Sequence, residues 1–417
     1  MNWPVVPLGE VAETALGKML DKGKSRGNEH VPYLRNINVQ WGRIDTHDLL
    51  TMELAEDERE RFGVRSGDLL VCEGGDVGRC AIWQGRSAYL AYQKALHRIR
   101  PSAVLDARFL RYLLEHQAKS GALAKLSTGS TIAHLPQQKL RRIPVPLPPL
   151  AEQHRIVEIL EDHLSRLDAG QKELTAAPRR IEAMKSAILR ELIPDPVAYP
   201  EHWTELTVGD AGTIELGRQR HPDWHAGPNM RPYLRVANVF EDRIDIADVM
   251  EMHWPADTFD RFKLSPGEVL LNEGQSPEFL GRPAMYRGVP TDVAFTNSLI
   301  RFKASNEVDP EFALLVFRRH MRAGRFKRES RITTNLAHLS ARRLKEIEFP
   351  LPPLDEQRQI VATARDRLDA ADRLKSGVVT ALAQELRLRK AVLAAAFSGT
   401  LTKSPNELRH TEELVPA

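Results

Sequence analysis

The chain has 417 residues, 42% of them hydrophobic, enough for two domains of ordinary size that each bury a core. With 59 Lys and Arg against 56 Asp and Glu, its formal charge of +3 neither demands nor excludes a polyanionic partner, so local clustering has to decide. No unbroken apolar run approaches the roughly 18 residues of a membrane span, and the start, MNWPVVPLGEV, lacks the basic and apolar segments of a signal peptide, which predicts a cytoplasmic protein without a membrane partner.

Residues 1–145 hold short β-branched and apolar runs broken by glycine, such as SGDLLVCEGGDVGRCAIW, and these predict strands joined by turns. A helical segment follows near residues 107–117, where Phe109, Leu110, Leu113 and Leu114 fall at helical spacing. This part is expected to be α+β. LGKMLDKGKSRG places Lys18, Lys22, Lys24 and Arg26 on a glycine-containing loop that a phosphate backbone can follow closely. Cys72 and Cys80 are too few for a metal site wanting about four ligands, and they read as small apolar residues. EGGDVGR, residues 73–79, invites a phosphate-loop or metal-nuclease reading. It lacks a Gly-Lys-Ser/Thr ending and a following helix, so a tight turn between strands fits better.

Residues 146–198 begin PLPPLAEQ. Its prolines are expected neither to continue a strand nor to begin a helix before the last of them, which makes a stiff extended connector. The Glu-Gln after it suits a first helical turn, where the helix dipole favours acids. Beyond it Leu160, Leu167, Leu174, Ile181 and Ile188 recur at a strict step of seven, with Val157 and Leu164 in a neighbouring row. That is a coiled-coil seam, on a helix of about 43 residues and roughly 65 Å. Pro178 is expected to kink or interrupt it.

Residues 199–349 then repeat residues 1–145, and residues 350–417 repeat residues 146–198. PLPPLAEQHRIVEILEDHLSRLD and PLPPLDEQRQIVATARDRLDAAD share 12 of 23 positions at an offset of 204, and PYLRNINVQWGRID and PYLRVANVFEDRID share nine of 14 at an offset of 200. Further anchors lie in order between these blocks, among them Trp3 with Trp203, Glu73-Gly74 with Glu273-Gly274, and Ala133-His134-Leu135 with Ala337-His338-Leu339. Solenoid units run to only about 50 residues, so this period means duplicated domains. In the second long helix Val361, Leu368, Ala371, Leu374, Val378, Leu382, Leu388 and Val392 give a looser seam. It ends in AAAFSGTLT, which the first copy's SAILRELIPDP does not match, leaving the end of the first helix less defined. The expected architecture is two globular α+β domains, each followed by a long helix. The helices should pair as an antiparallel coiled coil in pseudo-twofold symmetry and hold the globular domains apart.

RRHMRAGRFKRESR, residues 318–331, carries seven Lys or Arg against one acid, Glu329. On a helix and its following loop this predicts a phosphate-contacting surface, with Arg318, Arg319, Arg322, Arg325, Lys327 and Arg328 supplying affinity and Arg331 nearer a base; a merely solvated face is the alternative. Arg218 and Arg220 are further cationic candidates near the start of the second copy. The first copy's version of the basic run is weaker, with Lys119 and Lys125 before STGST.

The duplication also sorts residues. Positions identical in both copies cannot by themselves distinguish two ligands, so Tyr33/Tyr233, Arg35/Arg235, Asn38/Asn238 and His134/His338 are candidates for scaffold, phosphate or partner contacts. Positions that differ can carry sequence readout. They include Asn36 against Val236, Gln40-Trp41 against Phe240-Glu241, and Tyr92-Gln93-Lys94 against Phe295-Thr296-Asn297. Ser127, Thr128, Ser130 and Thr131 likewise stand against Arg331, Thr333, Thr334 and Asn335. Amides and guanidinium groups suit base edges in the major groove, although neutral surface drift would also produce such differences. No catalytic constellation is common to both copies. The lone His134/His338 pair is read as buried or capping, and no metal site is expected.

The order of globular part, PLPP-x-x-EQ, long helix, second globular part, second PLPP-x-x-EQ and helix ending AFSGTLT resembles the specificity (S) subunit of type I restriction-modification systems. The resemblance covers nearly the whole chain. It implies two target-recognition domains that each read one half of a split site in double-stranded DNA. It also implies a helical spacer that docks two methyltransferase (M) subunits, with restriction (R) subunits joining them. S-adenosylmethionine, ATP and Mg would then sit on those partners, and this chain would bind no cofactor and catalyse nothing. The competing reading is a tandem coiled-coil adaptor that binds proteins without reading DNA sequence.

Overall fold

The structure is a computed structural model that describes residues 3–20, 29–85, 89–127, 133–329, 331–333 and 336–402, with the backbone alone at 331–333 and 336. The chain divides into two compact units, one of Met1–Leu174 with Thr380–Ala417 and one of Thr175–Val379. Each unit therefore holds one globular module and half of each long helix.

In the first unit a four-stranded antiparallel sheet is built from β1 (Ala12–Leu16), β2 (Leu69–Cys72), β3 (Cys80–Ile82) and β4 (Leu96–Pro101), in the order β1-β4-β2-β3. The second unit repeats it as β5 (Gly212–Leu216), β6 (Val269–Asn272), β7 (Pro283–Met285) and β8 (Leu299–Ala304), in the order β5-β8-β6-β7. The central strands LLVC and VLLN are buried along their whole length, because one face meets a helix and the other a second small sheet. Cys72 and Cys80 are buried free thiols, and burial pushes Cys72 up to about 11.

Among the described residues, four helices of more than eight residues pack on these sheets or extend from them: α1 (Ala107–Lys119), α2 (Leu150–Leu192), α3 (Pro310–Arg322) and α4 (Leu354–Ser398). None of the described helices is long and apolar enough to cross a membrane. Asp106 and Asp309 cap α1 and α3 by accepting from the backbone N–H groups of Arg108 and Phe109 (both 2.9 Å) and of Glu311 (2.8 Å). The repeated glutamine of PLPP-x-x-EQ locks those caps to the long helices. Gln153 and Gln357 are fully buried, and their Oε1 accepts from the N–H of Asp106 and Asp309, at 2.8 Å in both units. Their Nε2 donates to the carbonyls of Val104 and Pro148 in one unit and of Glu307 and Pro352 in the other, at 2.8–2.9 Å.

The prolines behave differently from the expectation. Pro146 ends the strand Pro144–Pro146, which pairs with Val5–Pro7, and Pro350 lies within the strand Glu348–Leu351, paired with Thr204–Thr207. In two-stranded sheets every strand has a free edge, and there a missing N–H costs no ladder bond. Helix α2 also runs through Pro178 without interruption.

Within each unit the two helices are antiparallel. In the first, Asp168 pairs with Arg389, and Arg155 donates to the Thr402 carbonyl (3.2 Å). In the second, Lys185 pairs with Asp372, Lys375 with Glu182 (2.8 Å) and Arg367 with Glu191 (2.8 Å). Leu374 and Leu388, expected in the seam, are instead 56% and 54% exposed. The seven-residue rows through Ala371 and Leu368 pass through Glu385 and through Lys375 and Arg389, so charged side chains hold seam positions and the leucines beside them face water. The missing AFSG ending of α2 is also accounted for. Its C-terminus is closed by Arg319 of α3, which donates to the Ile193 carbonyl (3.1 Å) and pairs with Asp195 (2.7 Å).

Candidate nucleic-acid interface

Residues far apart in sequence meet along one strip of each module. In the first unit Lys18 bridges Gln93, Lys94 N–H donates to the Lys18 carbonyl (2.9 Å), Glu73 N–H donates to Ala95 (3.0 Å), and Gly74 bridges His134. In the second, Arg218 bridges Thr296, Asn297 N–H donates to Arg218 (2.9 Å), Glu273 N–H to Ser298 (2.9 Å), and Gly274 pairs with His338. A Cβ on Gly74 or Gly274 would come within 3.0 or 3.1 Å of the histidine ring, tighter than an ordinary contact, so glycine lets the ring lie close at the end of the strip. His338 is neither buried nor capping. It is about half exposed and bonds Glu273 at 3.2 Å, so a buried or capping role does not hold there.

Two of the identical pairs hold their own loops. Asn38 and Asn238 are buried and donate to the carbonyls of Asp45 and Asp48 and of Asp245 and Asp248, at 2.9–3.1 Å. Arg35 pairs with Asp48 (2.6 Å), and Arg235 with Asp248. These arginines hold a loop, and a phosphate would have to compete with a carboxylate for them.

The differing residues divide. Lys94 and Arg220 are exposed, and Gln93 and Asn297 are half-buried, so all four can reach a ligand. Asn36 is already engaged, donating to the Gly74 carbonyl (2.8 Å) and accepting from Arg79 (2.7 Å). Gln40 donates to the Ile37 carbonyl (2.8 Å), and Trp41 Nε1 to Asp76 (3.0 Å). Lys18 pairs with Glu58 and lies over the Phe62 ring, while Arg218 stacks on Trp224 at 3.7 Å and on Trp254 at 4.9 Å. Tyr92 cannot read a base, because it is fully buried and burial pushes its phenol up to about 12. Ser127 bonds its own turn through the Ala124 carbonyl (2.7 Å). Lys22, Lys24, Arg26, Thr128, Ser130, Thr131, Thr334 and Asn335 lie outside the described residues, and Arg331 and Thr333 fall on a strand described by backbone alone.

The expected phosphate face on α3 and the turn after it is largely an internal ion-pair network. Arg318 bonds Glu241 (3.0 Å) and Asp242 (3.2 Å), Arg322 bonds Glu241 (2.7 Å) and Glu182 (2.9 Å), and Arg325 bonds Glu348 (2.9 Å) and Glu329 (2.6 Å). Those guanidinium groups are already matched by carboxylates of their own unit. Arg328 and Lys327 stay exposed on the turn Arg325–Arg328. Sequence reasoning missed Glu241 and Asp242 as acceptors. A signal existed in the charge exchange between copies: where the second has Glu241 and Arg318, the first has Trp41 and Glu115. Among the described residues no cluster of His, Cys, Asp and Glu could hold a metal ion.

The family model for the type I restriction modification DNA specificity domain matches residues 1–176 and again residues 200–384. The specificity subunit of the type I restriction enzyme EcoKI from Escherichia coli K12 is 22% identical over 96% of this chain and 89% of its own length. That of StySPI from Salmonella potsdam is also 22% identical, over the same shares. Among solved structures, a chain from work on complex assembly and conformational transition of the type I R-M system superposes with a TM-score of 0.76, at 20% identity, covering 96% of this chain and 98% of that one. The HsdS subunit of Thermoanaerobacter tengcongensis gives 0.63 at 20% identity, covering 96% and 97%. Matched by the same domain model in both halves, the chain belongs to the type I restriction modification DNA specificity family.

Proposed function

We propose that the chain is the DNA-reading subunit of a type I restriction-modification complex in the cytoplasm, each module reading one half of a split duplex site. The observation that carries this reading is the strip built twice on one scaffold with different side chains. Lys18, Gln93 and Lys94 in the first unit stand where Arg218, the fully buried Thr296, and Asn297 stand in the second, so Gln93 and Lys94 are accessible in one copy and Asn297 in the other. Shared scaffold residues fix how a duplex is approached, and differing amides and cations supply two different readouts. The helices α2 and α4 set the spacing between half-sites and dock two methyltransferase subunits, with restriction subunits joining the assembly. Transfer of the methyl group and cleavage belong to those partners, which carry S-adenosylmethionine, ATP and Mg.

The test is to purify the chain with its partners, map methylated adenines across a genome, and titrate the mapped site and a random duplex over a salt series. Specific binding should exceed random binding by about 10³-fold or more at physiological salt, with both affinities falling as salt rises. Equal affinity for both duplexes would leave the adaptor reading in its place.

A further inference from the structure

Arg322 makes five hydrogen bonds within the second unit. Its Nε and Nη2 grip Glu241 in a fork, both at 2.7 Å, and Nη2 also reaches the Glu182 carboxylate at 2.9 Å. Its Nη1 donates to the Glu182 carbonyl and to Ser186 Oγ, each at 3.3 Å. One side chain on α3 thus ties the turn of the hairpin Val239–Phe240/Arg243–Ile244 to α2. Glu182 passes the tie on to α4 through Lys375 (2.8 Å). Burial raises the Glu182 carboxyl, but the bonds from Lys375 and Arg322 outweigh it and bring the group down to about 2, so it stays charged at neutral pH.

The hairpin links this tie to the reading strip. Val236, whose N–H is held by Ser298 Oγ (3.1 Å), lies five residues before Glu241. Beside the tie is an open cleft of about 510 Å³ lined mostly by charged side chains, among them Asp242, Glu311, Arg365 and Asp369. Among the described residues of the first unit no guanidinium makes such a tie, and the equivalent side chains meet only as Lys119 over the Trp41 ring at 5.9 Å. Trp41 replaces Glu241 and bonds Asp76, while Lys119 replaces Arg322 and pairs with Glu115 of its own helix.

We propose that Arg322 is a positioning residue for half-site spacing: through Glu241 and Glu182 it fixes the angle at which the second module stands on α2 and α4. This rests on the reading of a split DNA site under Proposed function. One base pair more or less between half-sites turns the second by roughly 34° and moves it about 3.4 Å along the duplex. A module held by a forked, doubly anchored guanidinium cannot follow that change, whereas a module on a loosened seat can. Lysine keeps the charge but not the fork.

The experiment uses the full chain with its methyltransferase partners, as wild type, Arg322→Lys and Glu182→Gln. Each is titrated with the mapped duplex, with duplexes whose spacer is one base pair shorter or longer, and with duplexes carrying single substitutions in either half-site. The expected result in both variants is that preference for the native spacer falls by about tenfold, while base discrimination in both half-sites is kept. Glu182 is partly exposed, so its variant remains informative should Arg322→Lys unfold. A folded variant pair with wild-type spacer preference would overturn the proposal, and so would a loss confined to base discrimination in one half-site. A wild-type chain that shows no split target at all would overturn the functional reading, and this one with it.

Discussion

Gln153 and Gln357 are the same residue because each must accept one bond and donate two inside a fully buried pocket, which neither glutamate nor an apolar side chain can do. Their identity in the two copies was visible in sequence, but the capping aspartates whose N–H groups they hold lie 47 and 48 residues upstream, so the position could be flagged and its purpose could not. Gln357→Ala strands the Asp309 N–H and two carbonyls and should cost the second unit about 2–4 kcal/mol. Hydrogen exchange should then quicken in α3 and stay unchanged in α1; equal quickening in both would contradict the account. His320 offers a second test. Burial pushes its imidazole down to about 4, against the opposing pull of Glu348, while its Nε2 bonds the Glu348 carbonyl at 3.0 Å. As pH falls from about 6.5 towards 4, the unfolded chain takes up a proton that the folded one refuses, so stability present above that window is lost within it. The first copy makes the same bond with an amide, Gln117 donating to the Pro144 carbonyl at 3.1 Å. His320→Gln should therefore keep the bond and flatten the pH slope of the second unit. Urea titrations at pH 7.5 and 5.5 decide it, and identical slopes in variant and wild type would count against it.

At the scale of elements, both long helices and their seven-residue step were legible, because an apolar row leaves its period in the sequence. Which residues of α4 fill the seam was not, because Lys375, Glu385 and Arg389 occupy seam positions and only the charges they meet make sense of them. Nor could the sequence say which helix end belongs to which core. Leu393 and Ala396 are fully buried in the core of the first unit, and Phe397 sits edge-on to Phe109 at 5.4 Å and stacks on His116 at 5.5 Å. Phe397→Ala should accordingly cost about 2–3 kcal/mol and loosen α1 while leaving the second unit intact. Proteolysis mapped by mass spectrometry would show which module opens first. Opening of the second module would refute the assignment. The basic run on α3 gives the opposite lesson, since charge in sequence does not reveal whether its counter-charge comes from a ligand or, as with Glu241, from a hairpin about 80 residues away.

For the whole molecule, the duplication and the α+β modules were readable from repeated motifs and glycine-broken strands. The division into units was not, because it follows contacts between antiparallel helices and cuts through the segments 146–198 and 350–417 while leaving 1–145 and 199–349 whole. Exchanging residues 1–145 for a relative's should change one half-site and spare the other and the spacing, provided the donor helix keeps an aromatic surface for Phe397. Methylation mapping of the hybrid tests this, and a change in both halves would end the modular reading. The placement of Leu393 and Phe397 also has a consequence in time. The second unit is one continuous stretch, Thr175–Val379, and all of it leaves the ribosome in order. The first unit's opening 174 residues must wait for the stretch that begins at Thr380. At roughly 5–20 residues per second that is a delay on the order of 10–40 s. The module made first is thus the last to close its core, and while it waits its apolar face is open to chaperones and proteases.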